Sequence, residues 1–147
     1  MATISVIPSH LPCGLLDVLG VVEHCSPDLQ WYCMELEHGF FCGENGEVWP
    51  QAWISDLCNK LERIRSGIPL SWDHVRSLAS QLRPEDAVLL IATAPDAAAP
   101  SWPLNIASPR FEIAIQNADE QSWHITTRNQ VLLSRLQAEF ETSRIAA

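Results

Sequence analysis

Three groupings of side chains in this 147-residue sequence are of types that could carry chemistry. Cys13, His24, Cys25, Cys33, His38 and Cys42 fall within thirty residues, and thiolate with imidazole is a donor set suited to zinc. Structural zinc sites favour close cysteine pairs that place two ligands on one turn. No Cys-x(2–4)-Cys spacing occurs here, so the cysteines read as small, partly buried hydrophobes and no metal is expected. The same residues set thiol beside imidazole, His24 with Cys25 and His38 near Cys42. Adjacent strand residues point to opposite faces, so His24 would not serve Cys25 there, and neither cysteine lies in a nucleophile motif. Glu35, Glu37, Glu44 and Glu47 are the third grouping, and crowded carboxylates can raise one another's pKa. Glycoside chemistry needs such a pair across a cleft, whereas a solvated acidic face needs no cleft. The six glycines form no phosphate-cradling loop. The expectation is a non-enzyme with no cofactor.

The elements that must position these residues centre on Gln30 to Trp53. His38-Gly39 and Asn45-Gly46 are two-residue turn candidates, and together they predict a three-stranded meander. Strict alternation then puts Tyr32, Met34, Leu36, Phe41 and Val48 on a core face. The opposite face carries Trp31, Cys33, Glu35, Glu37, Phe40, Cys42, Glu44, Glu47 and Trp49. That face mixes carboxylates with large aromatics and has no base. Of the six tryptophans, Trp102 lies among prolines in a loop and is expected to be exposed, while Trp123 reads as core. Aromatic anchors ringed by acid suit an Arg- and Lys-rich partner. The expected partner-binding set is Trp31, Glu35, Glu37, Glu44, Glu47, Trp49 and Trp102.

Charge supports the same reading. The net charge is −9, and residues 1–59 hold eight acids with no Lys or Arg, whereas residues 60–147 hold ten acids against nine bases. A field of that sign repels nucleic acid and anionic membrane and draws cationic partners in. With 47% hydrophobic residues and mean hydropathy near zero, the chain reads as one domain, residues 1–147, able to bury its own core. The start lacks a basic region, the longest apolar run is far short of a span, and five cysteines is an odd number. A cytoplasmic protein with reduced thiols is expected, a monomer that forms a one-to-one complex.

Around the meander, Thr3 to Ile7 predicts a strand, and the Val-rich stretch Asp17 to His24 is read as another. Trp53, Ile54, Leu57, Cys58, Leu61 and Ile64 recur at helical spacing. Ser71 caps a second helix that buries Val75, Leu78, Ala79 and Leu82, and the two helices form a hairpin. Ala87 to Ala94 predicts a strand covered on both faces, Pro95 to Pro109 an irregular loop, and Phe111 to Thr127 a hairpin. Asn129 caps a last helix whose stripe is Leu132, Leu133, Leu136 and Phe140. The order is strands, two helices, strands, one helix. It predicts an α+β fold in which an antiparallel or mixed sheet carries the helical hairpin and a C-terminal helix.

In size, acidic bias and α+β pattern the whole chain resembles the immunity proteins of bacterial contact-dependent growth-inhibition and polymorphic toxin systems. The resemblance rests on no shared motif and carries over no residue. It implies binding and neutralisation of a basic toxin, of nuclease type, by blocking its active cleft. Small acidic α+β chains with a C-terminal amphipathic helix are also similar to type III secretion chaperones, which act as dimers on an extended effector segment. A small ligand-binding or enzymatic domain is the remaining alternative.

Overall fold

The computed structural model describes residues 2–7, 14–37, 52–80, 87–106, 108–119 and 122–145. The predicted turns at His38-Gly39 and Asn45-Gly46, the rest of the meander to Trp49, and Leu82 lie outside these residues. The chain forms β1 (Ala2–Ile7), α1 (Gly14–Cys25), β2 (Gln30–Glu37), α2 (Ala52–Arg63) and β3 (Ile68–Leu70). It continues through α3 (Trp72–Ala79), β4 (Ala87–Thr93), β5 (Ile113–Asp119), β6 (Ser122–Thr127), α4 (Gln130–Glu139) and β7 (Glu141–Ile145). The seven strands make one sheet in the order β3-β2-β4-β5-β6-β1-β7, and every pairing is antiparallel. The fold class is α+β, as expected, although helices and strands alternate more than the sequence order suggested.

Helix α1 replaces the strand expected over Asp17 to His24. Leu15, Val18, Leu19 and Val22 recur at helical spacing and are all buried, while Asp17, Gly20 and His24 are exposed. The valines' strand preference is weak beside this burial, and tertiary context overrides it. The two expected caps form: Ser71 Oγ accepts from the N–H of His74 at 3.1 Å, and Asn129 Oδ1 from that of Leu132 at 3.0 Å. Helices α2 and α3 touch through the stacked rings of Trp53 and His74, 4.5 Å between centroids. Two short strands were not expected. β3 lies between α2 and α3 and adds to the outer edge of β2, where Pro69 is tolerated because an edge strand can spare an N–H. β7 follows α4 directly and pairs with β1. Ile64, expected in the α2 stripe, lies just past the helix end and is 43% exposed.

All four helices pack on one face of the sheet. Their core includes Leu19, Ile54, Leu78 and Leu136 together with Ile4, Trp31, Leu90, Ile115 and Trp123 from the strands. Trp123 is core, as read from the sequence. The other face is covered differently. Met34, Leu89, Ile91, Phe111 and Ala114 form a smaller cluster, capped by Leu104 and Ile106 from the loop between β4 and β5. Central β4 is therefore buried on both faces, as its unbroken apolar run predicts.

Candidate functional site

The alternation expected along β2 does not hold. Cys33 pairs with Leu90 and Glu35 with the next residue, Leu89, so two steps on β2 oppose one on β4. This bulge at Met34 puts Trp31, Cys33 and Leu36 together on the helix-covered face, while Met34 faces the loop side. Trp31 is 0% exposed and meets Trp72 of α3 edge-to-face at 5.4 Å. Trp31 is thus a core residue and not a partner contact. The helices it packs on could not be placed from the strand's own pattern, and an aromatic beside glutamates read as surface.

Glu35 is exposed, a point the sequence left open. Glu37 ends β2, and only its backbone is described; Glu44, Glu47 and Trp49 lie outside the described residues. Trp102 is 40% exposed, as expected, but its strand neighbour is a base. Its N–H donates to the carbonyl of Arg65 at 2.9 Å, and that of Gly67 to Pro100 at 2.7 Å, flanking a Ser66–Ser101 bridge. This two-stranded strip ties the loop to the segment that leads into β3. It brings the backbone of Trp102 beside that of Arg65.

What the structure does bring to Glu35 is a carboxylate from α2. β3 reaches along β2 only as far as Cys33, which leaves the next residues of that strand uncovered by β3. A cleft of about 200 Å³ opens there, lined by Met34, Glu35 and Leu36 from β2 and Cys58, Leu61 and Glu62 from α2. Glu62 was missed in the sequence, yet Cys58, Leu61 and Glu62 are spaced i, i+3, i+4 and so share one helix face. Both glutamates are exposed, and neither makes an ion pair among the described residues.

Two other described acids of the first 59 residues, Glu23 and Asp56, are already paired. Arg76 of α3 binds Glu23 and Asp73 and lies 6.0 Å from the Trp72 ring centroid, and Lys60 pairs with Asp56 at 3.2 Å. Hydrogen bonds donated to Asp73 and then to Glu23 hold the pKa of the Arg76 guanidinium above its ordinary value, so it stays charged. The cleft therefore combines an apolar floor with two carboxylates at its walls that have no ion-pair partner among the described residues, which suits a Lys or Arg side chain. The methylene stem would lie on Met34, Leu36 and Leu61 while the cationic head meets the glutamates.

Cysteine chemistry finds little support beside this cleft. Burial first, and then the neighbouring Cys58, push the Cys33 thiol up to about 12. At neutral pH it is a protonated hydrophobe, and its Sγ donates to the Glu35 carbonyl at 3.6 Å. His24 and Cys25 are adjacent on a helix, where neighbouring side chains do not face each other. Among the described residues, no three His, Cys, Asp or Glu side chains converge as a metal-binding group. Cys13, His38 and Cys42 are outside them. No described helix is long and apolar enough to cross a membrane. Comparison with protein-family models, curated proteins and solved structures gives no match.

Proposed function

We propose that this protein binds a basic protein partner and neutralises it, in the manner of an immunity protein acting on a toxin. The observation that carries the reading is the β2–α2 cleft, where Glu35 and Glu62 stand over an apolar floor with no ion pair among the described residues. It lies at the end of a strand that belongs to the uniformly acidic first 59 residues. A partner that grips nucleic acid does so through exposed Lys and Arg. The same side chains would enter an acidic cleft, so a bound inhibitor and the nucleic acid would compete. Charge complementarity would make the encounter fast and salt-sensitive. The proposal therefore extends to a nuclease toxin held in the cytoplasm in a one-to-one complex.

The test begins with a tagged pull-down from the native host at low salt, with mass spectrometry of whatever is retained. The expected result is one strongly basic protein, released as salt is raised, whose activity falls when this protein is added back. Glu35→Lys with Glu62→Lys should weaken the complex by at least about tenfold, mainly through on-rate, because like charges then meet across the contact. Circular dichroism should be unchanged, since both residues are exposed. Full retention of the partner by the folded double variant would reject the cleft as the binding surface. Absence of any basic partner would reject the function.

A further inference from the structure

A second cavity, of about 230 Å³, opens on the loop-covered side between β4 and β5. Its apolar wall includes Pro100, Pro103, Leu104 and Phe111, and Arg110 is its only charged residue among the described ones. Leu104 and Phe111 also pack on Met34, Leu89 and Ile91, so that wall is anchored to the sheet. The stretch around Arg110 is held from outside. Arg128 donates to the carbonyls of Pro109 and Phe111, and its Nη2 stands 3.9 Å from Glu112. Glu112, the acid nearest to Arg110 in sequence, is thereby occupied. The backbone N–H of Arg110 donates to Ser108 Oγ at 3.3 Å, while its guanidinium makes no ion pair among the described residues.

A guanidinium with no ion pair among the described residues, beside a hollow walled on one side by Pro100, Pro103, Leu104 and Phe111, selects for an anion joined to a small hydrophobic body. One planar fork matches one carboxylate bidentately. The volume lies below the roughly 300–1,000 Å³ of pockets for drug-sized ligands, so the guest must be compact. We propose that this pocket binds the carboxylate of a short apolar acid. Its source is either a free small acid or the chain terminus of a peptide ending in an apolar residue. This site is independent of the acidic cleft, since it takes a guest of opposite charge on other elements.

The test is a nuclear magnetic resonance titration of the full chain labelled with nitrogen-15. The probes are 4-methylpentanoate, an N-acetylated dipeptide ending in leucine, and the primary amide of each. Saturable shifts at the amides of Ser101, Asn105, Ser108 and Phe111 are expected with at least one acid. The matching amide should bind at least about tenfold weaker, as expected when a hydrogen bond to a charged group is lost. Arg110→Gln should cause the same loss while leaving the rest of the spectrum in place. Saturation by the free acid alone assigns a small-molecule guest, and tighter binding of the peptide acid assigns a chain terminus. No saturable shift with either acid, equal binding of acid and amide, or unchanged binding by Arg110→Gln would each overturn the proposal.

Discussion

The two faces of the sheet are closed in different ways. Four helices cover one face with long apolar side chains, and that core takes in residues from six of the seven strands and two buried tryptophans. The loop between β4 and β5 covers part of the other, through Leu104, Ile106 and Phe111 on a patch of β2, β4 and β5. Farther along that second face the sheet presents polar groups, such as Thr3, whose hydroxyl lies 2.9 Å from that of Thr126. Stability should be concentrated where apolar contacts are dense, and local opening where they are sparse. The 230 Å³ cavity lies on the sparsely covered side. The acidic cleft lies at the margin of the dense side, where β3 stops short. A rigid face thus carries a thinner one on which binding features can be placed.

The comparison is tested hardest at Trp31, the residue whose expected and observed positions differ most. Trp31→Ala removes a fully buried ring from the helix-covered core and should cost about 3–5 kcal/mol. For a chain of this length that is a fall in melting temperature on the order of 10 °C. The Trp31 indole N–H is buried without a hydrogen-bond partner among the described residues, so Trp31→Phe, which keeps a ring and deletes that donor, should cost clearly less. Thermal and urea denaturation of both variants checks this. Two small, equal losses would show that the helix-covered face is no more stabilising than the loop-covered one.

Trp31 also marks where the sequence could be read and where it could not. Periodicity located α2, α3 and α4, and polar residues before them marked two N-caps, because these are local signals. The continuous apolar run of β4 and the β5–β6 hairpin were legible for the same reason. β3 and β7 have three and five residues and are defined by the strand each meets, so nothing local announces them. The β2 bulge is likewise set by pairing with β4. One extra residue there shifts every later side chain to the other face, which displaced Leu36 from its expected companions. Trp31, ahead of the bulge, was misread because the helices that cover its face could not be placed from the strand. The candidate site was half visible. Glu35 was found on its strand, but its companion Glu62 sits 27 residues on, across a junction that only folding brings together. Trp102 was recognised as exposed by its prolines, while its pairing with the Arg65 segment had no sequence signature.

A smaller effect is expected where the loop meets the sheet. Gly67 lies where the strip from 65 to 67 crosses β2. A Cβ there would stand 2.8 Å from Met34 Sδ, 2.9 Å from Tyr32 Cβ and 3.3 Å from Pro100 Cγ. The methionine can move, but Tyr32 Cβ is fixed to its strand. Gly67→Ala should therefore cost about 1–3 kcal/mol by overpacking. It should also loosen the strip selectively, with faster hydrogen exchange at the amides of Gly67 and Trp102 than at those of β4. Uniform loss of protection would mean that the loop and the helix-covered core open together as one unit.

The smallest effect on stability belongs to Trp102, and it separates the two regions most directly. The bond from its N–H to Arg65 is made by backbone and survives in Trp102→Ala. A ring already 40% exposed loses little, so stability should stay within about 0.5 kcal/mol of the parent. A loss as large as that of Trp31→Ala would instead make Trp102 part of the core. Measured against a basic partner, the same variant reports how far the contact reaches. A weakening of tenfold or more would extend the interface from the cleft across the strip, since an exposed tryptophan held on a fixed backbone is a fitting anchor. Unchanged affinity would confine that partner to the glutamate cleft. The loop side, with Arg65 and Arg110, would then be left to ligands of opposite charge.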